Sequence, residues 1–171
     1  MDPRILVFLG AILAFIVNSN AKGVETGRAA PDCKLLPIGG TQRHDLQQYH
    51  GKVVYVDFWA SWCPPCAQSF PFMNQLHHQL ADWGLRIVGI NLDEKPDDAK
   101  DFLAKHPADF AVVFDTEGNC RQNFGVKAMP SSYLVDRQGN IRHVHLGFRP
   151  GEADQLRARV EQLLAESPSA H

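Results

Sequence analysis

One stretch limits the folds open to this chain more than any other. Lys52 to Trp59 reads Lys-Val-Val-Tyr-Val-Asp-Phe-Trp, and Trp62-Cys63-Pro64-Pro65-Cys66 follows almost at once. A β-branched and aromatic run without polar alternation is a strand buried on both faces, so layers of structure must lie above and below it. From Cys63 the period changes: Phe70, Met73, Leu76 and Leu80 recur on one helical face, and Gly84 closes the pattern after Trp83. The two cysteines therefore stand where a buried strand hands over to a helix.

The rest of the chain supplies the other layers. Leu85 to Leu92 reads as a second buried strand and Phe110 to Phe114 as a third, with a helix from Pro96 to His106 between them, opened by acidic residues. A short helix near Asn119 to Phe124 precedes two strands, Ser131 to Val135 and Ile141 to His145, joined by the turn Asp136-Arg137-Gln138-Gly139-Asn140. Glu152 to Glu166 is the last helix, with Ala153, Leu156, Val160, Leu163 and Leu164 inward, and Ser167 to His171 frays. Ahead of all these, Cys33 to Leu46 reads as a weak hairpin turning at Gly39-Gly40. Strands alternating with helices, then a hairpin and a helix, make an α/β fold with a mixed sheet between helices.

Residues 1–21 stand apart. Arg4 is followed by an apolar stretch from Ile5 to Val17 and by Ser19-Asn20-Ala21, with small residues where a signal peptidase cuts. The stretch is short for a span of about 20 residues, so it reads as a signal peptide or, uncleaved, as an N-terminal anchor. Both imply export. Residues 22–30 read as a linker and 31–171 as one domain, without internal repeats. Without the leader, 16 basic and 18 acidic side chains remain. That near balance excludes an acidic disordered tail and a nucleic-acid binder. A chain of this size also folds without a scaffold of disulfides or metal.

The four cysteines divide into a close pair and two singletons. Cysteines three apart at a helix start can close a small disulfide ring, with Cys63 exposed at the positive end of the helix dipole, where a thiolate is stabilised. Thiol–disulfide exchange requires an accessible thiolate to attack and a second thiol to resolve the mixed disulfide; Cys63 suits the first role and Cys66 the second. Half of a zinc site and an inert bridge are the competing readings, and zinc needs further ligands at suitable spacing. Pro64 and Pro65 remove two N–H donors from the first helical turn, which destabilises the Cys63 thiolate and makes the couple more reducing.

Val56-Asp57-Phe58-Trp59-Ala60-Ser61-Trp62-Cys63-Pro64-Pro65-Cys66 resembles the active-site segment of thioredoxins. Together with Ala30-Pro31-Asp32, Gly51-Lys52-Val53-Val54, Val88 to Asp93, Phe124-Gly125-Val126, Met129-Pro130 and Asp136 to Gly139, it is similar to the exported TlpA/ResA/DsbE-like thiol–disulfide oxidoreductases of the thioredoxin superfamily. The resemblance runs from Pro31 to Glu166. It implies a thioredoxin-like mixed β-sheet flanked by helices, with an N-terminal β-hairpin and a central helix–strand insert. It also implies that Pro130 is the cis-proline facing the cysteines, with Met129 offering its backbone to a substrate and Trp62 and Pro64 completing the docking surface. Pro71 matches the proline that bends the active-site helix. Asp57 matches the buried carboxylate behind the second cysteine, where desolvation raises its pKa and lets it exchange a proton with Cys66. Two departures from the exported branch stand out: Ser69 replaces a frequent glutamate, and Asp57 stands where many members carry an uncharged residue; against thioredoxins, Gly89 replaces the lysine placed near that aspartate.

The resemblance further implies partners: protein substrates with disulfides, of the cytochrome c or metal-site maturation type, and a membrane thiol donor for re-reduction in the periplasm. No cofactor or metal is implied. A thioredoxin-like Cu(I) metallochaperone is the rival class, since two thiolates and a histidine suit Cu(I), although such proteins usually space their cysteines four apart; a thiol oxidant or isomerase is another. Each of the eight histidines reads as a surface or core residue. Cys33 and Cys120 are open to three states: an intrachain bridge, two buried thiols, or a link to a partner.

Overall fold

The computed structural model describes residues 25–166, apart from 39, 42 and 116. The leader, the first part of the linker, Gly39 of the expected hairpin turn and the C-terminal five residues lie outside the described residues. Six strands form one sheet: β1 (Leu36–Pro37), β2 (Val53–Trp59), β3 (Leu85–Asn91), β4 (Ala111–Phe114), β5 (Ser131–Val135) and β6 (Ile141–Leu146). Their spatial order is β1-β4-β3-β2-β5-β6. β2, β3 and β4 run parallel, while β1, β5 and β6 pair antiparallel to their neighbours. The helices are α1 (Pro64–Leu80), α2 (Pro96–Lys105), α3 (Asn119–Asn123) and α4 (Ala153–Ala165).

β2 is buried at every position because two cores meet on it. Val53, Tyr55 and Trp59 join the core built from α1, α2 and α4, including Phe70, Phe102 and Leu156. Val54, Val56 and Phe58 join the opposite core with Val88, Ile90, Phe124 and Tyr133. The strand alternation of successive side chains thus divides an unbroken apolar run between two layers. The parallel neighbours require crossovers over the sheet, and α1 and α2 provide them.

Helix boundaries follow local chemistry. α1 begins with Pro64 and Pro65, whose missing N–H groups cost nothing in a first turn. It stops at Leu80 rather than near Trp83, because Ala81 to Trp83 turn into Gly84, whose φ of 102° only glycine adopts easily. α2 carries Asp97 and Asp98 in its first turn and Lys105 in its last, complementing the helix dipole.

The N-terminal hairpin is narrower than its sequence implies. Among the described residues, one antiparallel bridge, Leu35 to His44, remains of it, while Leu36 and Pro37 pair instead with Phe114 and Val113 at the sheet edge. The chain before it is docked as well: Ala29 bridges Asn140, and the Gly27 N–H donates to the Ile141 carbonyl at 2.6 Å. Cys33 and Cys120 are joined in a disulfide, both buried in the core on the α3 side of the sheet. This bridge ties the N-terminal segment to α3 across 87 residues of sequence.

A loop of that length carries a constraint of about 4–5 kcal/mol in the chain-entropy limit. Replacing both residues, Cys33→Ser with Cys120→Ser, is expected to lower unfolding stability by about 3–5 kcal/mol, read as a fall in denaturant midpoint. A loss below about 1 kcal/mol would show that packing alone holds the N-terminal segment.

Candidate active site

The strand-to-helix junction is held from β3. The Ser61 N–H and hydroxyl donate to the Asp93 carboxylate at 3.0–3.1 Å, and the Asn91 side-chain amide donates to the same carboxylate at 2.8 Å. Asn91 in turn accepts the Asp93 N–H at 3.1 Å. This clamp fixes the turn that carries Trp62 and Cys63.

Cys63 is the N-cap of α1, and Cys63 and Cys66 are joined in a disulfide with their Cα atoms 5.3 Å apart. With no N–H at Pro64 or Pro65, the first amide the helix offers is that of Cys66, which donates to Cys63 Sγ at 3.3 Å. Here the structure corrects an expectation: Cys63 is only 4% exposed. Its N-cap conformation turns the sulfur back over the first helical turn, so exposure passes to its neighbours. Trp62 is 69% exposed and Pro64 is exposed too. Cys66 is fully buried.

Met129-Pro130 contains a cis peptide bond. Pro130 is buried, and Met129 packs half-buried against the core that includes Cys63 and Cys66. Among the described residues the Met129 backbone N–H and C=O have no hydrogen-bond partner. Beside Cys63 lies an open groove of about 400 Å³, bounded by Trp62, Pro64 and Ala67 and by Asp101, Phe102 and His106 of the segment around α2. The central insert therefore forms one wall of the site. Phe102 holds that wall in place, its ring centroid 4.8 Å from Trp59 and 5.1 Å from Phe70.

Asp57 lies on β2 between Tyr55 and Trp59, on the strand face that carries the cysteine-containing core. It is completely buried. Ser132 donates to its Oδ1 at 2.6 Å, and Oδ2 has no partner among the described residues. Burial pushes the carboxyl up to about 7, and the Ser132 hydrogen bond opposes part of that rise. Gly89, opposite Asp57 on β3, supplies no cation: it has no side chain, and a Cβ there would stand 3.1 Å from the Phe110 ring and 3.2 Å from Trp59 Nε1, so a larger residue needs these rings to shift by a few tenths of an ångström. Ser69, where a glutamate is frequent, is buried and donates instead to the Cys66 carbonyl at 2.9 Å.

The junction thus places a buried disulfide and an unpaired backbone segment at one helix start, with a buried carboxyl of raised pKa on the same sheet face. Such an arrangement can exchange two electrons and store a proton. Ser132, Tyr55, Asn91 and Asp93 were not singled out from the sequence as site residues. Asp93 sits in a segment that carried the family resemblance, which was a usable signal; Ser132 and Tyr55 had none. The described histidines come together at most in pairs, His77 with His78 and His143 with His145. His143 stacks near His145, which lies 3.2 Å from Glu152, and His78 pairs with Asp109 at 2.8 Å. Among the described residues, no group of three or more His, Cys, Asp and Glu forms a metal-binding cluster.

Residues 25–164 match the Redoxin family. The chain is 30% identical over 151 residues to the thiol-disulfide oxidoreductase ResA of Geobacillus thermodenitrificans, covering 86% of each chain. It is 29% identical over 164 residues to ResA of Bacillus cereus, covering 94% of this chain and 91% of that one. Among solved structures, a thiol:disulfide interchange protein of the DsbE kind from Chlorobium tepidum superposes with a TM-score of 0.80 at 43% identity, covering 84% of this chain and all of the other.

The raised Asp57 pKa makes stability depend on pH. The folded chain holds this proton more tightly than the unfolded chain, so the buried carboxyl costs nothing below about pH 4, and its cost grows until about pH 7. Asp57→Asn is therefore expected to be more stable than the parent by about 2–4 kcal/mol at pH 8, with the difference vanishing near pH 4. Urea unfolding of the oxidised protein across that range measures it; a difference independent of pH would mean that Asp57 titrates like an exposed carboxylate.

Proposed function

The chain belongs to the Redoxin family as a thiol–disulfide oxidoreductase of the ResA/DsbE type, and from that premise we propose that it works outside the cytoplasm as a reductant of protein disulfides. The observation that carries this reading is the Cys63–Cys66 pair at the start of α1, on the sheet face that holds buried Asp57. In the reduced protein, the Cys63 thiolate attacks one sulfur of a substrate disulfide. A mixed disulfide forms and one substrate thiolate departs. The Cys66 thiol gives its proton to Asp57, and its sulfur attacks Cys63, which releases the second substrate thiolate and closes the Cys63–Cys66 disulfide. The substrate gains two electrons and the enzyme loses two. A membrane thiol donor then restores the dithiol, because a reductant in an oxidising compartment needs a supply of electrons.

Docking falls to Trp62, Pro64, Met129 and Pro130. An extended substrate segment can pair with the unpaired Met129 backbone while its side chains contact the exposed Trp62 ring. A shallow groove suits a protein substrate, and the cytochrome c or metal-site maturation class is the one the family resemblance favours. The reducing direction is supported by Pro64 and Pro65, which leave only the Cys66 amide to stabilise the Cys63 sulfur. Export is supported by the leader-like residues 1–21, acting as a cleaved signal or as a tether, and by a second disulfide at Cys33–Cys120.

Two measurements test this. Cys66→Ser is expected to accumulate a mixed disulfide between Cys63 and a physiological substrate, recovered from the periplasm after acid quenching; absence of any trapped cysteine-bearing protein would refute the assignment of attacking and resolving thiols. The reduction potential of the Cys63–Cys66 couple is expected to lie well below the roughly −120 mV of a strong periplasmic oxidant. A value near that figure would reverse the direction.

A further inference from the structure

The two oxygens of Asp57 occupy different situations. Oδ1 accepts the Ser132 hydroxyl at 2.6 Å, and the oxygen of that hydroxyl accepts the Tyr55 O–H at 3.0 Å. Oδ2 has no hydrogen-bond partner among the described residues. All three side chains are buried. The chain can run in one direction only while Asp57 is ionised: two oxygens 2.6 Å apart need a hydrogen between them, the carboxylate has none, and so Ser132 must supply it. That leaves the Ser132 oxygen as an acceptor for Tyr55. Burial and the nearby carboxylate hold the Tyr55 phenol above its ordinary range, so Tyr55 stays a donor.

We propose that Ser132, oriented by Tyr55, is the positioning residue that decides which oxygen of Asp57 carries the exchanged proton. Ionised Asp57 holds Oδ1 as the acceptor of the Ser132 hydroxyl, so an arriving proton enters at Oδ2, the oxygen without a hydrogen-bond partner among the described residues, and leaves from it. During closure of the Cys63–Cys66 disulfide, the Cys66 S–H bond breaks and its proton forms Oδ2–H on Asp57; the freed electron pair forms the bond to Cys63 Sγ while the Cys63–substrate S–S bond breaks and the substrate sulfur leaves as a thiolate. During re-reduction the same proton returns to the Cys66 sulfur. Ser132 and Tyr55 gain and lose nothing. This rests on the reading that Asp57 serves Cys66.

The surroundings leave few competing influences. Tyr55 and Trp59 flank Asp57 on β2, Ser132 pairs with it on β5, and Gly89 on β3 adds no side chain. At the start of α1 the cysteines of the same core are the N-cap Cys63 and Cys66, and α4 contributes the apolar Leu156, Val160 and Leu163. Among the described residues, no charged side chain contributes to the Asp57 shift.

The test is a carboxyl titration of the full-length oxidised protein by isotope-edited infrared spectroscopy, with the pH profile of disulfide closure measured in parallel. Ser132→Ala is expected to raise the Asp57 midpoint by about one to two pH units, the worth of a hydrogen bond to a charged group. It should also shift the C=O band of the protonated form, which loses its donor. Ser132→Thr should restore both, and Tyr55→Phe should move them in the same direction by less. Tyr55→Phe keeps the test available should Ser132→Ala misfold. The closure profile should follow the same order. An infrared band and midpoint unmoved by these variants, with a closure profile that Asp57→Asn does move, would overturn the proposal alone. A profile unmoved by Asp57→Asn would overturn the role of Asp57 and the proposal together.

Discussion

Burial of β2 on both faces is the constraint from which the rest of the architecture follows. A strand with Tyr55 and Trp59 directed to one core and Val54, Val56 and Phe58 to the other can only lie inside the sheet, flanked by β3 and β5. Its C-terminal end must then deliver the chain over one face, and it does so through Ala60 to Cys63 into α1. The reactive pair inherits its position from that hand-over. The aromatic contacts of Trp59 with Phe70 and Phe102 join strand, α1 and α2, so the wall of the groove beside Cys63 is packed onto the same strand that leads to the cysteines.

Against this apolar background Asp57 is an expensive residue. A carboxylate in a fully buried strand position gives up solvation, and the single bond from Ser132 returns only part of it. The result is a group that titrates near neutrality, where a proton can be taken up or released with little driving force. Among the described residues, no cation contributes to the Asp57 shift. Gly89 packs against Trp59 and Phe110, and at that position the chain supplies no side chain that could lower the Asp57 pKa.

Legibility from sequence varied with how local the cause was. β2, β3, α1 and α4 were readable because periodicity is a property of a short segment, and their ends shifted by one to three residues where Gly84 or a terminal turn intervened. The N-terminal hairpin was less readable: Leu36 and Pro37 are too few to specify a partner, and an available edge of β4 took them. Cys63 was readable as a helix-start thiol, but its burial was not, since that depends on how the N-cap turns its sulfur toward the Cys66 amide. Ser132 was invisible as a site residue because its meaning comes from a carboxyl 75 residues earlier.

The sequence by itself determined the class of chemistry and the sheet-and-helix order. Two cysteines three apart after a buried strand, and the long apolar run before them, are short-range patterns that carry their own physics. Tertiary structure alone decided the pairing of Cys33 with Cys120 in a disulfide, the bonding of Ser132 and Tyr55 into the Asp57 network, and the insert as a wall of the groove. Each of these joins residues distant in the chain, and such distances are set only when the sheet register brings neighbouring strands into line.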